Sequence, residues 1–137
     1  MIDDIILSKA ESIERCVRQI RIYYALPSDT PFQTDYLRQD AIAANLLRAC
    51  EQAIDLANHV IKIKQLGLPK ASRESFRILA DYAILTPDLA LRMERMVGFR
   101  NILVHQYQKL DISIMIDVIE HRLDDLLAFT AAILQSD

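Results

Sequence analysis

Two side chains of complementary chemistry lie five positions apart in the second half of the chain. Arg100 carries a permanent positive charge and a planar fork of donors that suits phosphate oxygens. The imidazole of His105 can both accept and donate a proton near neutral pH. Together they suit cleavage of a phosphodiester that carries its own nucleophile, the RNA 2′-hydroxyl. The imidazole takes the hydroxyl proton and the guanidinium stabilises the charge on the phosphoryl oxygens, so the chemistry needs no metal ion.

The spacing of this pair sets a geometric condition. Five residues at about 100° each place Arg100 and His105 roughly 140° apart around a continuous helix, so the two do not share a face. Either the helix frays near His105, or two copies of the chain meet across a two-fold axis and pool their residues. An arginine and a histidine near a helix C-terminus also occur simply because both favour the negative end of the helix dipole, so the spacing alone is a weak signal.

The elements that must hold these residues are helices. Apolar residues recur at steps of three and four, which predicts four long helices and one short helix. The long helices are expected at about residues 2–24, 35–65, 87–105 and 112–134, and the short one at about 72–83. We therefore expect an all-α, up-and-down helical bundle that forms a single domain over residues 1–137.

Local signals indicate where these helices begin and end. Either Thr34 or Asp35 can cap the second helix, and Ser72 is expected to cap the short one. Thr86 is expected to cap the next helix, with a proline at its first helical position. Residues 66–69, Leu-Gly-Leu-Pro, are typical of a helix C-cap followed by a stop.

The composition excludes several classes of protein. The 137 residues are 52% hydrophobic and 26% charged, which is typical of a folded domain, and the two glycines are too few for a glycine-rich phosphate loop. No apolar run approaches the roughly 18–20 residues that span a bilayer. Acids replace the basic residues that begin a signal peptide, so we expect a cytoplasmic protein. Cys16 and Cys50 are expected to be buried free thiols, and we expect no metal site.

The formal net charge of −3 is unevenly distributed along the chain. Residues 62–109 carry a balance of +5 and the remainder a balance of −8. This excludes a uniformly basic nucleic-acid binder but leaves room for a focused RNA site on an acidic body. Within the basic part, Arg73 and Arg77 are four residues apart on one helix face and could contact phosphates, as could Lys109; a solvated face is the alternative.

Residues 100–107 resemble the Arg-x4-His-x-Tyr motif of HEPN-domain proteins, and in particular the HepT toxin family. Asn101 matches the polar residue that follows the arginine in HEPN proteins, and Tyr107 matches the tyrosine of the motif. The resemblance covers most of the chain, including residues 39–41, 55–59, 66–69, 72–76 and 96–101.

This resemblance implies a metal-independent endoribonuclease without a cofactor, built as an all-α homodimer whose paired motifs line a cleft at the interface. It implies that Arg100 and His105 are catalytic and that Asn101 assists them. It also implies that the cognate antitoxin MntA, a minimal nucleotidyltransferase, adds AMP to the hydroxyl of Tyr107. Phosphates added so close to His105 would fill the RNA site and compete for the arginine. The alternatives are a non-catalytic HEPN-type dimer that binds a nucleotidyltransferase or a nucleotide, and a plain helical interaction domain.

Other polar and aromatic residues have simpler interpretations. His121 is expected at the surface, and His59 is expected to be solvated or hydrogen-bonded. Asp55, Asn58 and His59 could form a hydrogen-bonded network at a dimer interface. Four tyrosines are expected to pack rather than to stack on bases: Tyr23, Tyr24, Tyr36 and Tyr82.

Overall fold

The computed structural model describes residues 2–136, which fold into helices joined by short connections, with no strand among them. The helices are α1 (Asp4–Ala25), α2 (Tyr36–Lys64), α3 (Ser72–Asp81), α4 (Pro87–His105), α5 (Ile112–Asp117) and α6 (Leu123–Gln135). A π-helical turn, Val118–Arg122, joins α5 to α6, so these two helices form the last long helical segment. The predicted all-α architecture of four long segments and one short helix is confirmed.

The core lies between α2 and the helices that surround it. α1 packs along α2, α3 packs against α4, and α6 contacts α1, α2 and α4. Small buried residues at steps of four along α2, Ala49, Ala53 and Ala57, let the neighbouring helices approach closely. Phe76 of α3 and Phe129 of α6 are fully buried and meet edge to face with their ring centroids 5.4 Å apart.

The predicted helix starts are confirmed at two positions. The carboxylate of Asp35, rather than the hydroxyl of Thr34, accepts the backbone N–H of Arg38 at the start of α2. At the start of α4 the hydroxyl of Thr86 accepts the backbone N–H of Leu89 at 3.1 Å. Both caps satisfy backbone donors that have no partner within the helix.

The structure differs from the expected boundaries at the loop between α2 and α3. The left-handed residue that ends α2 is Gln65, with φ of 56°, and its N–H bonds to the carbonyls of Ile61 and Lys62. The glycine at 67 lies beyond this C-cap. Ser72 was expected to be the N-cap of α3 but is its first helical residue, and Ala71 occupies the cap position without a side-chain hydrogen bond. The hydroxyl of Ser72 is consequently free for a tertiary contact.

Both cysteines are buried, as the sequence predicted. Cys16 and Cys50 are 3% and 2% exposed and both are free thiols. Burial raises the pKa of the Cys50 thiol to about 12, since the thiolate would lose its hydration. Within residues 2–136, no helix is both long and apolar enough to span a membrane.

Candidate active site

Arg100 lies on the inner side of α4 and is held by two neighbouring helices. Its Nη2 donates to the hydroxyl of Ser72 on α3 at 3.2 Å. Its Nε lies 3.2 Å from Oε1 of Glu51 on α2, although the N–H is not aligned for a hydrogen bond. The side chain is 20% exposed. The bundle therefore presents a cation in one fixed place, with one edge open to solvent.

His105 is the last residue of α4 and is exposed. The helix remains regular from Arg100 to His105, so the two side chains leave α4 on different sides, as the spacing predicted. The helix ends at His105 itself, and Gln106 follows as the C-cap. Within the part of the chain that the structure describes, we find no hydrogen bond to the His105 ring. Asn101, next to Arg100, is half-buried.

Tyr107 opens a single 3₁₀ turn, Tyr107–Lys109, directly after the C-cap of α4. Its hydroxyl donates to Oδ1 of Asp40 on α2 at 2.5 Å. Burial, together with this acceptor and its negative charge, raises the pKa of Tyr107 far above its usual value. Two clefts of about 280 and 270 Å³ flank the pair, and both residues line each of them.

One face of α2 supplies the acidic partners of both motif residues. Asp40 and Glu51 are eleven residues apart, or about three helical turns, so they lie on the same face. Ala44 and Leu47 lie between them on that face and line the second cleft together with Leu103 of α4. Sequence reasoning missed both acids. The spacing of polar and apolar residues along α2 predicts that Asp40 and Glu51 share a face. The neighbouring residues in the sequence do not show which side chains the two acids contact.

A groove of about 520 Å³ runs between α4 and the α5–α6 segment. Its residues combine cations with an apolar floor: Arg73, Arg92, Arg95, Arg122, Met96, Phe99, Ile102, Ile114 and Val118, together with Gly98, Asp117 and Asp125. Arg73 crosses α4 at Gly98, where a Cβ would lie only 2.8 Å from Nη2 of Arg73. Within residues 2–136, neither Arg73 nor Arg95 forms an ion pair, so both charges are available to a ligand.

The other cations predicted to contact RNA lie in different surroundings. Arg77 does not line the groove; its Nε donates to Oε1 of Glu94 at 2.7 Å, in an ion pair between α3 and α4. The carboxylate of Glu94 is 11% exposed, whereas Arg77 is 63% exposed. Lys109 is exposed at the end of the turn that begins with Tyr107. The structure thus separates Arg73 from Arg77, although the two share a helix.

The expected network of Asp55, Asn58 and His59 is wrong, because each residue has a partner elsewhere in the same chain. Nε2 of His59 lies 2.7 Å from Oδ2 of Asp3, and Oδ1 of Asn58 accepts a hydrogen bond from Ser75. Oδ2 of Asp55 forms an ion pair with Nζ of Lys9 at 3.7 Å. These contacts hold α1, α2 and α3 together within one copy of the chain.

Two further residue expectations have mixed outcomes. His121 is exposed, as predicted. Tyr23 and Tyr24 are partly buried against the core, as expected of packing residues. Tyr36 and Tyr82 were expected to pack as well but are 70% and 56% exposed, because both lie at helix ends that the core does not cover. Among the residues described, no group of three or more potential metal ligands converges.

Known proteins resemble the chain over most of its length. The family described as Ribonuclease HepT-like matches residues 13–133. The mRNA nuclease HepT of Shewanella oneidensis is 41% identical over 127 residues, which cover 93% of this chain and 94% of that protein. The tRNA nuclease HepT of Aphanizomenon flos-aquae is 33% identical over 111 residues, which cover 78% of this chain and 72% of that protein.

A solved structure has the same fold. The tri-AMPylated HEPN toxin of Shewanella oneidensis, in complex with the MNT antitoxin, superposes with a TM-score of 0.90. It is 40% identical in sequence, and the match covers 97% of this chain and 98% of that one.

Proposed function

The chain belongs to the family of HepT-like ribonucleases, and from this premise we propose that it is a metal-independent endoribonuclease, the toxin of a toxin–antitoxin pair. Arg100 and His105 are its catalytic residues, and Asn101 assists them. Two relatives are named as nucleases of mRNA and tRNA, and the solved relative is a toxin bound to an antitoxin, which supports the proposal.

One geometric observation carries this proposal. α4 presents a fixed cation, Arg100, about 1.4 turns before an exposed imidazole, His105, at the point where the helix ends. In the proposed reaction the imidazole takes the proton of the RNA 2′-hydroxyl, and the 2′-oxygen bonds to the adjacent phosphorus. The bond from phosphorus to the 5′-oxygen breaks, and the leaving oxygen takes up a proton. Arg100 stabilises the additional charge on the phosphoryl oxygens.

A homodimer would allow Arg100 and His105 to act on the same phosphate. Because Arg100 and His105 leave α4 on different sides, one copy of the helix does not direct both at the same phosphate from one face. Two copies related by a two-fold axis can pool their residues in a shared cleft and supply one histidine as base and another as acid. Arg73, which forms no ion pair within residues 2–136 and lies in the groove beside α4, would contact the RNA backbone.

The test of the nuclease is growth arrest on expression, together with cleavage of purified RNA. We expect the wild-type protein to arrest growth and cleave RNA, and the Arg100→Ala and His105→Ala variants to do neither. A wild-type protein that is harmless and leaves RNA intact would contradict the proposal. If such a protein still bound a nucleotidyltransferase, the non-catalytic dimer would become the better interpretation.

We also propose that a nucleotidyltransferase antitoxin of the MntA type neutralises this toxin by adding AMP to Tyr107. The solved relative is itself AMPylated and bound to an antitoxin, which supports this proposal. Tyr107 lies two residues beyond His105, so an added phosphate would compete with RNA for the same cations.

The modification can be followed by the intact mass of the protein. Incubation with a nucleotidyltransferase of the MntA type and ATP should add multiples of one AMP mass, and the Tyr107→Phe variant should gain none. A mass gain that survives Tyr107→Phe would place the modification elsewhere.

A further inference from the structure

We propose that Asp40 is the catalytic base for the modification of Tyr107, so that the toxin itself supplies the group that activates its own acceptor oxygen. This inference rests on the proposed AMP transfer to Tyr107. It assigns to α2 a catalytic role in a reaction whose nucleotide and transferase come from the partner.

The geometry places an acceptor on the reacting atom. Oδ1 of Asp40 accepts the hydroxyl proton of Tyr107 at 2.5 Å, within the reach that a general base needs. Asp40 is exposed on the first turns of α2, and within the part of the chain described here it forms no ion pair that would occupy its charge. The clefts on either side of the pair leave space for a nucleotide to approach the phenol oxygen.

A tyrosine phenol needs such an acceptor to react at neutral pH, where it is protonated and is a poor nucleophile. Burial and the neighbouring carboxylate raise the pKa of Tyr107 further, so free phenolate is rarer still. A neighbouring carboxylate that takes the proton as the new bond forms removes this obstacle without requiring free phenolate. The contact that stabilises the neutral phenol in the resting protein is therefore the contact through which the proton leaves.

The step balances in atoms and charge. The phenol oxygen of Tyr107 bonds to the α-phosphorus of ATP, and the bond from that phosphorus to the oxygen bridging the β-phosphate breaks. Pyrophosphate leaves with the electron pair of that bond. The phenol proton passes to Asp40, from which solvent removes it. Asp40 acts once only, because each later AMP unit must attach to a nucleotide oxygen and not to the phenol oxygen, which is already esterified.

The discriminating variant is Asp40→Asn, since an asparagine oxygen still accepts the tyrosine hydrogen bond but is too weak a base to take the proton. Asp40→Glu keeps the carboxylate, and Asp55→Asn is a matched control on the same helix, where Asp55 pairs with Lys9. Each full-length variant is incubated with the nucleotidyltransferase and ATP, and AMP transfer is followed over time by intact mass.

We expect Asp40→Asn to slow the first AMP addition at least about 100-fold, with the KM for ATP unchanged, whereas Asp40→Glu recovers most of the rate and Asp55→Asn retains all of it. Later additions should keep their normal rates, so the variant should contain unmodified and fully modified protein with little singly modified species. A loss smaller than tenfold would overturn the inference. Equal losses in Asp40→Asn and Asp40→Glu, or slowing of every addition alike, would also overturn it, because they indicate a structural or docking role. If wild-type protein gains no mass, the proposed modification itself fails.

Discussion

Arg100 and His105 belong to the same helix, yet the bundle holds the first side chain and leaves the second free. Arg100 lies between Glu51 of α2 and Ser72 of α3, and four-fifths of its side chain is buried. His105 is exposed at the last position of α4, where the helix gives way to a single 3₁₀ turn. One end of the motif is part of the packed molecule, and the other end projects from it.

The difference corresponds to what each group would have to do in the proposed reaction. A cation that stabilises developing charge is most effective when it is already in position, because no reorganisation is needed during the reaction. A group that moves protons must meet its substrate and solvent, and it gains little from a permanent partner. We infer that the neighbouring helices orient the arginine, whereas RNA or a second copy of the chain orients the histidine.

The largest loss of RNA cleavage should come from substitution of His105, the exposed residue of the motif. His105→Ala removes the proposed base, and we expect RNA cleavage to fall by about 10²–10⁴-fold, measured with a fluorescent RNA under single-turnover conditions. Its thermal unfolding should not change, because the side chain is exposed and forms no hydrogen bond within residues 2–136. His121→Ala, at another exposed histidine, is the matched control and should retain full activity. Unfolding at a lower temperature in His105→Ala would show that this end is structural after all.

A smaller loss of RNA cleavage should come from removing the contacts that hold Arg100. Glu51→Gln preserves the shape of the side chain but removes the negative charge beside Arg100, so we expect cleavage to fall roughly 10-fold through poorer orientation. Ser72→Ala, which removes one hydrogen bond from the same guanidinium, should cost less than this. Asp55→Asn controls for loss of an acid from α2. Faster cleavage by Glu51→Gln would mean that the acid restrains Arg100 instead of orienting it.

Two arginines on α3 allow a matched test of cations that are free or held. Arg73→Ala should weaken RNA binding and lower by about one the slope of log affinity against log salt concentration, since one phosphate contact is lost. Arg77→Ala should leave that slope unchanged and instead lower the stability, because the nearly buried Glu94 loses its partner. Binding at several salt concentrations and thermal unfolding measure the two effects. Equal salt slopes in the two variants would remove the groove from the RNA site.

The smallest effect should follow removal of divalent metal ions. If the fixed cation and the free imidazole are sufficient for the chemistry, cleavage in EDTA should match cleavage in Mg²⁺ to within about twofold when ionic strength is held constant. Rates of purified protein on the same RNA in the two buffers provide the measurement. Activity that disappears in EDTA and returns with Mg²⁺ would show that the pair is not sufficient.

The fold could be predicted because its signals are local. The side chains of Asp35 and Thr86 each accept a hydrogen bond from the backbone N–H three residues further on. The sequence signal for these helix starts therefore lies within a few residues. The end of α2 was less predictable, since a glycine two positions further on suggested the C-cap, yet Gln65 adopts the left-handed conformation itself. The π-helical turn Val118–Arg122 leaves no mark in the apolar spacing and was not expected.

The site was predictable only in part, for the same reason. The motif residues are close together in the chain, and their chemistry is evident from their types and from the family resemblance. Their partners are not: Asp40 and Tyr107 are 67 residues apart, and Ser72 is 28 residues from Arg100. Such contacts depend on the register of one packed helix against another, which periodicity does not determine. The predicted network of Asp55, Asn58 and His59 was wrong because these residues are close together on one helix but contact other helices instead of one another.

The π-helical turn Val118–Arg122 has a consequence for how the wall of the groove between α4 and the α5–α6 segment can change. A π turn closes its backbone hydrogen bonds over five residues instead of four, so it holds one residue more than an α-helical turn. Both of its end residues, Val118 and Arg122, line the arginine-rimmed groove. We expect deletion of one residue within 118–122 to convert the turn into plain α-helix, so that the groove wall loses one residue while the core side of α6 stays in place. The groove wall can therefore change in length by one residue without a change in the core.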